Sequence, residues 1–222
     1  MNSKTITKKQ MNQLIKYSVD VFGFTEELFM ENAAAAVLRN IALETRENFA
    51  IICGPGQKGR IGLKIARILL GKGKKVYVFL PSSPDDLGEN YKKDLQIVSN
   101  LDGFILSLET IGDLEAFPED LLKVNTIIDA IMDIDFDDSY LGSYDFIIET
   151  INRSRIYTVC IDQPSGLDAD TGKIKTVAVE PDLIIALQFV KAGLINSSHL
   201  IGTKLGIEDI GIPEKSIRRV LL

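Results

Sequence analysis

Histidine occurs once in this 222-residue sequence and cysteine twice. The single histidine, His199, lies in a polar Asn-Ser-Ser-His stretch, which predicts a surface position and makes a Ser-His-Asp hydrolase a poor reading. Cys53 and Cys160 each end an apolar, β-prone run. Two buried thiols are expected, and neither a disulfide framework nor a zinc cluster is suggested. No stretch approaches the roughly 20 apolar residues that span a bilayer. The polar start Met1-Asn2-Ser3-Lys4-Thr5 lacks the apolar region of a secretory signal, so a cytoplasmic protein with no membrane partner is expected. Dense basic and aromatic patches are also missing and the net charge is −6, which argues against nucleic acid as a partner. Charge is unevenly spread: residues 1–80 are weakly basic and the rest strongly acidic, so the first third suits an anionic ligand.

What is present is apolar material, 45% of the residues, enough for one large domain spanning 1–222. Met11, Leu14, Ile15 and Val19 recur near the 3.6-residue period and predict a helix over 7–20. Thr25 is placed to cap a second helix carrying Leu28, Phe29, Ala33, Val37, Leu38 and Ile41. Phe49 to Cys53 reads as a buried strand, followed by the glycine loop Gly54-Pro55-Gly56-Gln57-Lys58-Gly59 and a helix over 61–71. Lys75 to Leu80 is a second strand, stopped by Pro81, and residues 81–86 form a surface loop. Helices are expected over 91–101 and 142–154. Strands are expected over 103–108, 126–130, 156–161 and 181–187. Strands alternating with helices over the whole length give a three-layer, Rossmann-like, doubly wound α/β fold with a mostly parallel sheet. No internal repeat or low-complexity segment interrupts it.

Two segments carry chemistry. Gly54-x-Gly56-x-x-Gly59 follows a strand and precedes a helix, where glycines let a backbone approach a phosphate at the helix amino end. A purely structural turn explains the same glycines equally well. No acid follows the second strand, which ends Leu80-Pro81-Ser82, so ordinary hydride transfer with NAD is disfavoured. Gly59-Arg60-Ile61 also lacks the Gly-Lys-Ser/Thr of a phosphate-loop NTPase. The second segment, Asp162-Gln163-Pro164-Ser165-Gly166-Leu167-Asp168, starts at a strand's carboxyl end, where open α/β sheets place ligands. Asp129 ends another strand in the same way. Asp129, Asp162 and Ser165 converging on the glycine loop would hold a cation or position a proton donor and acceptor. For Asp168 the plainer reading is a carboxylate satisfying local loop amides.

The order of these pieces resembles the NAD(P)HX epimerase family, also called YjeF N-terminal domains. Leu28-Phe29-Met30-Glu31-Asn32-Ala33 is similar to the family's Leu-Met-Glu-Asn-Ala-Gly helix, and Gly54-Pro55-Gly56 to the start of its glycine loop. Asp129-Ala130, Asp162 to Asp168, Phe189 to Gly193 and Ile210 to Pro213 resemble later family segments. The resemblance covers roughly residues 10–215. It implies interconversion of the R and S forms of hydrated NADH and NADPH (NADHX and NADPHX), a potassium ion beside the ligand, a homodimer, and a separate NAD(P)HX dehydratase as partner. It places Asp162 as the catalytic and substrate-binding acid, and Asp129 and Ser165 as potassium ligands. The substrate-contacting positions it implies are Asn32, Gly54, Gly56, Gln57, Lys58, Gly59, Arg60, Ile61 and Asp133.

Against the family pattern, Gln57, Lys58, Arg60 and Ile61 stand where Asn, Asn, Gly and Asp are usual. The second substrate loop reads Met132-Asp133-Ile134-Asp135-Phe136-Asp137-Asp138, acidic where the family is glycine-rich. One hypothesis joins these changes: Lys58 places its ammonium in the potassium position, held by Asp129 and Ser165, while Arg60 pairs with Asp133 or Asp135. A lesser reading gives Asp133, Asp135 and Asp137 a calcium or magnesium ion, although Tyr144 stands where an EF-hand loop needs its last acid. Two functions stay open: an epimerase with Asp162 as acid/base, or a noncatalytic descendant that binds a nucleotide-like ligand or a protein.

Overall fold

The computed structural model describes residues 5–134, 143–174 and 176–222. Two helices lead, α1 (Lys8–Phe22) and α2 (Glu26–Arg39). Each has a threonine cap: Thr7 forms a capping box with Gln10, and Thr25 accepts from the Leu28 amide. Such caps satisfy amides that a helix start leaves open and contribute about 1 kcal/mol each. The alternating part follows as β1 (Asn48–Cys53), α3 (Gln57–Gly71), β2 (Lys75–Leu80), α4 (Glu89–Asn100), β3 (Phe104–Ser107), α5 (Ile111–Leu121) and β4 (Thr126–Ala130). It continues with α6 (Ser143–Ser154), β5 (Thr158–Ile161), β6 (Leu183–Leu187), α7 (Ala192–Asn196), β7 (Lys204–Glu208) and α8 (Glu214–Leu221).

The strands form one parallel sheet in the order β3-β2-β1-β4-β5-β6-β7. Strand parity divides its two faces. Phe49, Ile51 and Cys53 of β1 join the core under α1 to α4 and α8, whereas Ala50 and Ile52 join the core under α5 to α7. Both faces are covered, which is why the central strands read as continuous apolar runs. Each fully buried Ile or Leu contributes roughly 1.5–3 kcal/mol relative to exposure. The three-layer doubly wound fold expected from the sequence is therefore the fold observed. Its direction reverses between β1 and β4, and the crevice there lies at the strands' carboxyl ends.

Several details differ from the sequence reading. α3 starts at Gln57 rather than 61, so Gly59 and Gly62 lie within the helix. α5, α7, β7 and α8 were not anticipated. α5 contains Pro118, a residue that normally argues against a helix interior. β7 reads Lys-Leu-Gly-Ile-Glu and is largely exposed at the sheet edge, so it carries no apolar run. Both cysteines are buried and free, as expected.

Candidate active site

The reversal between β1 and β4 brings the amino end of α3 over the ends of β4 and β5. Asp129 lies next to the last residue of β4 and is completely buried. Its Oδ1 accepts from the Ser165 hydroxyl at 2.5 Å and from the Ile131 amide at 3.1 Å. Its Oδ2 accepts from the Ser165 amide at 2.8 Å and from Lys58 Nζ at 3.1 Å. The Lys58 ammonium also donates to the Gln163 carbonyl at 2.8 Å and to Ser165 Oγ at 3.1 Å, and Ser165 Oγ accepts from the Met132 amide. Burial alone would push the Asp129 carboxyl up. The Lys58 charge and the Ser165 hydrogen bonds outweigh it and hold the group below the usual carboxylate range. Lys58 thus sits among Asp129 and Ser165 as the sequence hypothesis expected.

Gly56 immediately precedes α3 and offers no side-chain cap. The missing cap comes from a distant loop, since Asp133 Oδ1 accepts from the Lys58 amide at 2.6 Å. A Cβ on Gly56 would lie 1.6 Å from the Asp133 carboxylate, and one on Gly59 would lie 1.8 Å from the Gly54 carbonyl. Neither glycine has positive φ, so the motif supplies space rather than unusual backbone.

In front of this network opens a cleft of about 100 Å³, with apolar walls that include Met11, Phe29, Ile61, Met132 and Leu187. Asp162 lies in its lining, one residue past β5, with φ of 64°. The Gln163 amide donates to the Ile161 carbonyl at 2.7 Å, closing a three-residue turn about Asp162. Left-handed backbone in a non-glycine residue costs on the order of 1–3 kcal/mol, and such strain concentrates at functional sites. Asp162 Oδ1 accepts from the Leu187 amide at 2.9 Å and from Lys191 Nζ. Among the described residues Oδ2 has no hydrogen-bond partner. Lys191 is fully buried, also reaches the Leu187 and Phe189 carbonyls, and pairs through its backbone with Ile6.

Gln57, Lys58, Ile61, Asp133 and Asp162 line the cleft together. Asn32 does not, because its amide donates to the Ile210 carbonyl at 2.9 Å and docks α2 there. Arg60 corrects the expected pairing with Asp133: its guanidinium binds Glu27 at 2.6 Å and Asp94 at 2.7 Å. The reason is helical phase. With α3 beginning at Gln57, Arg60, Lys64 and Arg67 share one face, where they meet Glu27 and Glu31 of α2 and Asp94 of α4. Asp135 and Asp137 fall outside the described residues. Among the described residues no group of three or more His, Cys, Asp or Glu is arranged to hold a metal. Asp168 accepts from the Asp170 and Thr171 amides, the loop role expected of it. Among the described residues His199 reaches only the Val179 carbonyl, at 3.2 Å.

Lys191 is the site residue that the sequence reading passed over. The available signal was a lone cation between the apolar β6 and Gly193. Gln163 was missed as well; its Oε1 is buried without a hydrogen-bond partner among the described residues.

An open parallel sheet with an apolar cleft at its reversal point and an acid in the cleft wall defines a Rossmann-like α/β domain with a candidate ligand site. The chain belongs to the family described as YjeF-related protein N-terminus, whose model matches residues 26–193. It is 38% identical over 216 residues to the NAD(P)H-hydrate epimerase of Anaerococcus prevotii, covering 97% of this chain and 99% of that protein. It is 31% identical to the bifunctional NAD(P)H-hydrate repair enzyme Nnr of Moorella thermoacetica, covering 96% of this chain but 41% of the relative. The crystal structure of the yeast protein YNL200c has the same fold, with a TM-score of 0.82 at 24% identity over 99% of this chain and 94% of that one.

Proposed function

We propose that this protein is an NAD(P)H-hydrate epimerase that interconverts the R and S forms of NADHX and NADPHX. The observation that carries the reading is Asp162, held by the Leu187 amide and Lys191 through one oxygen while the other is left for a ligand in the cleft. The similarity to the Anaerococcus epimerase over nearly both full lengths supports the same activity. The hydrated carbon of the substrate carries a hydroxyl and the ring nitrogen. Asp162 takes the hydroxyl proton as the carbon–nitrogen bond opens to an aldehyde, and passes it to the nitrogen. Reclosure on the opposite carbonyl face reverses these transfers and inverts the centre. The apolar walls keep bulk water from the opened form. The bifunctional repair enzymes among the relatives, of which this chain spans about two fifths, point to a dehydratase as the functional partner.

The test is epimerisation of purified R and S NADHX and NADPHX without dehydratase. Wild-type protein is expected to equilibrate them, and Asp162→Asn to lose about 10²–10⁴-fold in rate. Asparagine is chosen because it tolerates left-handed backbone. The Asp133 carboxylate at the amino end of α3 favours a second reading, a noncatalytic binding domain, since it stands where a ligand phosphate would meet the helix and repels one. Folded protein that neither turns over nor retains either epimer would favour that alternative.

A further inference from the structure

The Asp129 carboxylate, the Ser165 hydroxyl and the Gln163 carbonyl converge on one point from two segments of chain, the end of β4 and the loop after β5. This is an oxygen donor set of the kind that holds a hard cation, and the resemblance to the epimerase family implies potassium there. The point is taken by Lys58 Nζ, at 3.1, 3.1 and 2.8 Å from those three oxygens. Lys58, Asp129 and Ser165 are all buried. Removing a charge from water is expensive, so one buried carboxylate is balanced by one cation and not by two. An ion entering beside Lys58 would place two positive charges against a single carboxylate and would have no oxygen left to itself. The residues present therefore do not fit a potassium ion while the lysine is in place.

We propose that Lys58 is a built-in replacement for the monovalent cation, so that this protein folds and binds its ligand without potassium. The ammonium neutralises Asp129, fixes Ser165 and ties the start of α3 to the loop after β5, all of which an ion would otherwise do. Because Lys58 is tethered, its occupancy does not vary with the salt around the protein. The occupancy claim stands on this geometry; its catalytic meaning rests on the epimerase reading.

Rubidium, a heavy stand-in for potassium, tests occupancy directly by anomalous diffraction from crystals grown in rubidium chloride. Wild-type crystals are expected to show no peak between Asp129, Gln163 and Ser165, and Lys58→Asn crystals a strong one. A peak in the wild-type cage with the lysine displaced would overturn the proposal, and this arm holds even if the variant does not fold. A folded Lys58→Asn protein whose cage stays empty would overturn it equally. In solution, potassium chloride and tetramethylammonium chloride at equal ionic strength should shift the wild-type melting temperature alike. The variant should gain about 3 °C or more in potassium alone, the saturable stabilisation that a bound ion gives. Absence of epimerase turnover in both proteins would defeat the functional reading while leaving these results intact.

Discussion

At the scale of single residues, the Lys58–Asp129 pair sets the strongest expectations. Lys58→Met leaves a buried carboxylate without its partner, which costs about 3–5 kcal/mol. In the wild type the Asp129 carboxyl is held low. Its contribution is therefore full above the unfolded value of about 3.9 and is lost as pH falls below it. In Lys58→Met, burial dominates and the group rises instead, so its penalty is largest at neutral pH. Urea unfolding across pH 4 to 8 should show the gap between the two proteins narrowing toward acid; a constant gap would show that the charge of Asp129 is not the cause. Gln163 gives the opposite kind of expectation. Its Oε1 is buried and unpaired among the described residues, so Gln163→Met should raise stability by about 1 kcal/mol, read as about 2–4 °C in melting temperature. Asp129, Ser165 and Lys58 were legible in the sequence because an acid at a strand end and a distinctive loop mark the place. Lys191 was not, because a buried lysine looks like any surface lysine until its three acceptors are seen.

At the scale of elements, α3 holds the site together through its amino end and its charged face. The glycine run was read as a loop, yet the helix takes it up almost at once, since Asp133 supplies the cap that Gly56 cannot. That single shift in the helix start turns Arg60 away from the cleft and onto α2 and α4. The spacing of Glu27 and Glu31 against Arg60, Lys64 and Arg67 held this information, but only once the helix was known to begin at 57. Asp133→Gly should cost about 1 kcal/mol through loss of the cap and bind phosphorylated dinucleotides several-fold more tightly by opening the helix end, as measured by calorimetry. In the α2–α3–α4 network, Asp94 is mostly buried whereas Glu27 is half exposed. Asp94→Asn is accordingly expected to cost about 2 kcal/mol, and Glu27→Gln less than about 1 kcal/mol. Equal losses in chemical denaturation would contradict this division. The elements that escaped the sequence reading did so for different reasons. α5 hides behind a proline, and β7 and α8 lie at the rim, where exposure removes the apolar pattern.

At the scale of the whole molecule, the alternation of elements was sufficient for the sheet, because covering a parallel sheet on both faces demands apolar runs at each central strand. The position of the cleft followed from the strand order, and its charge arrangement did not, since that depends on which side chains turn inward at the reversal. The resemblance also leads us to expect a homodimer, which light scattering coupled to gel filtration would show as twice the 24.5 kDa chain mass.

Lys58, Lys64 and Lys191 are all buried, and each is held by carboxylate oxygen. An amine-reactive acylating reagent needs a free, accessible nitrogen lone pair, so these three should stay unlabelled while surface lysines react. Their slow modification becomes a clock: Lys191 would report lifting of the segment around Ile6, Lys58 opening of the cleft, and Lys64 separation of the helices above it. Mass spectrometry of labelled peptides over time would thus rank which part of the protein opens first.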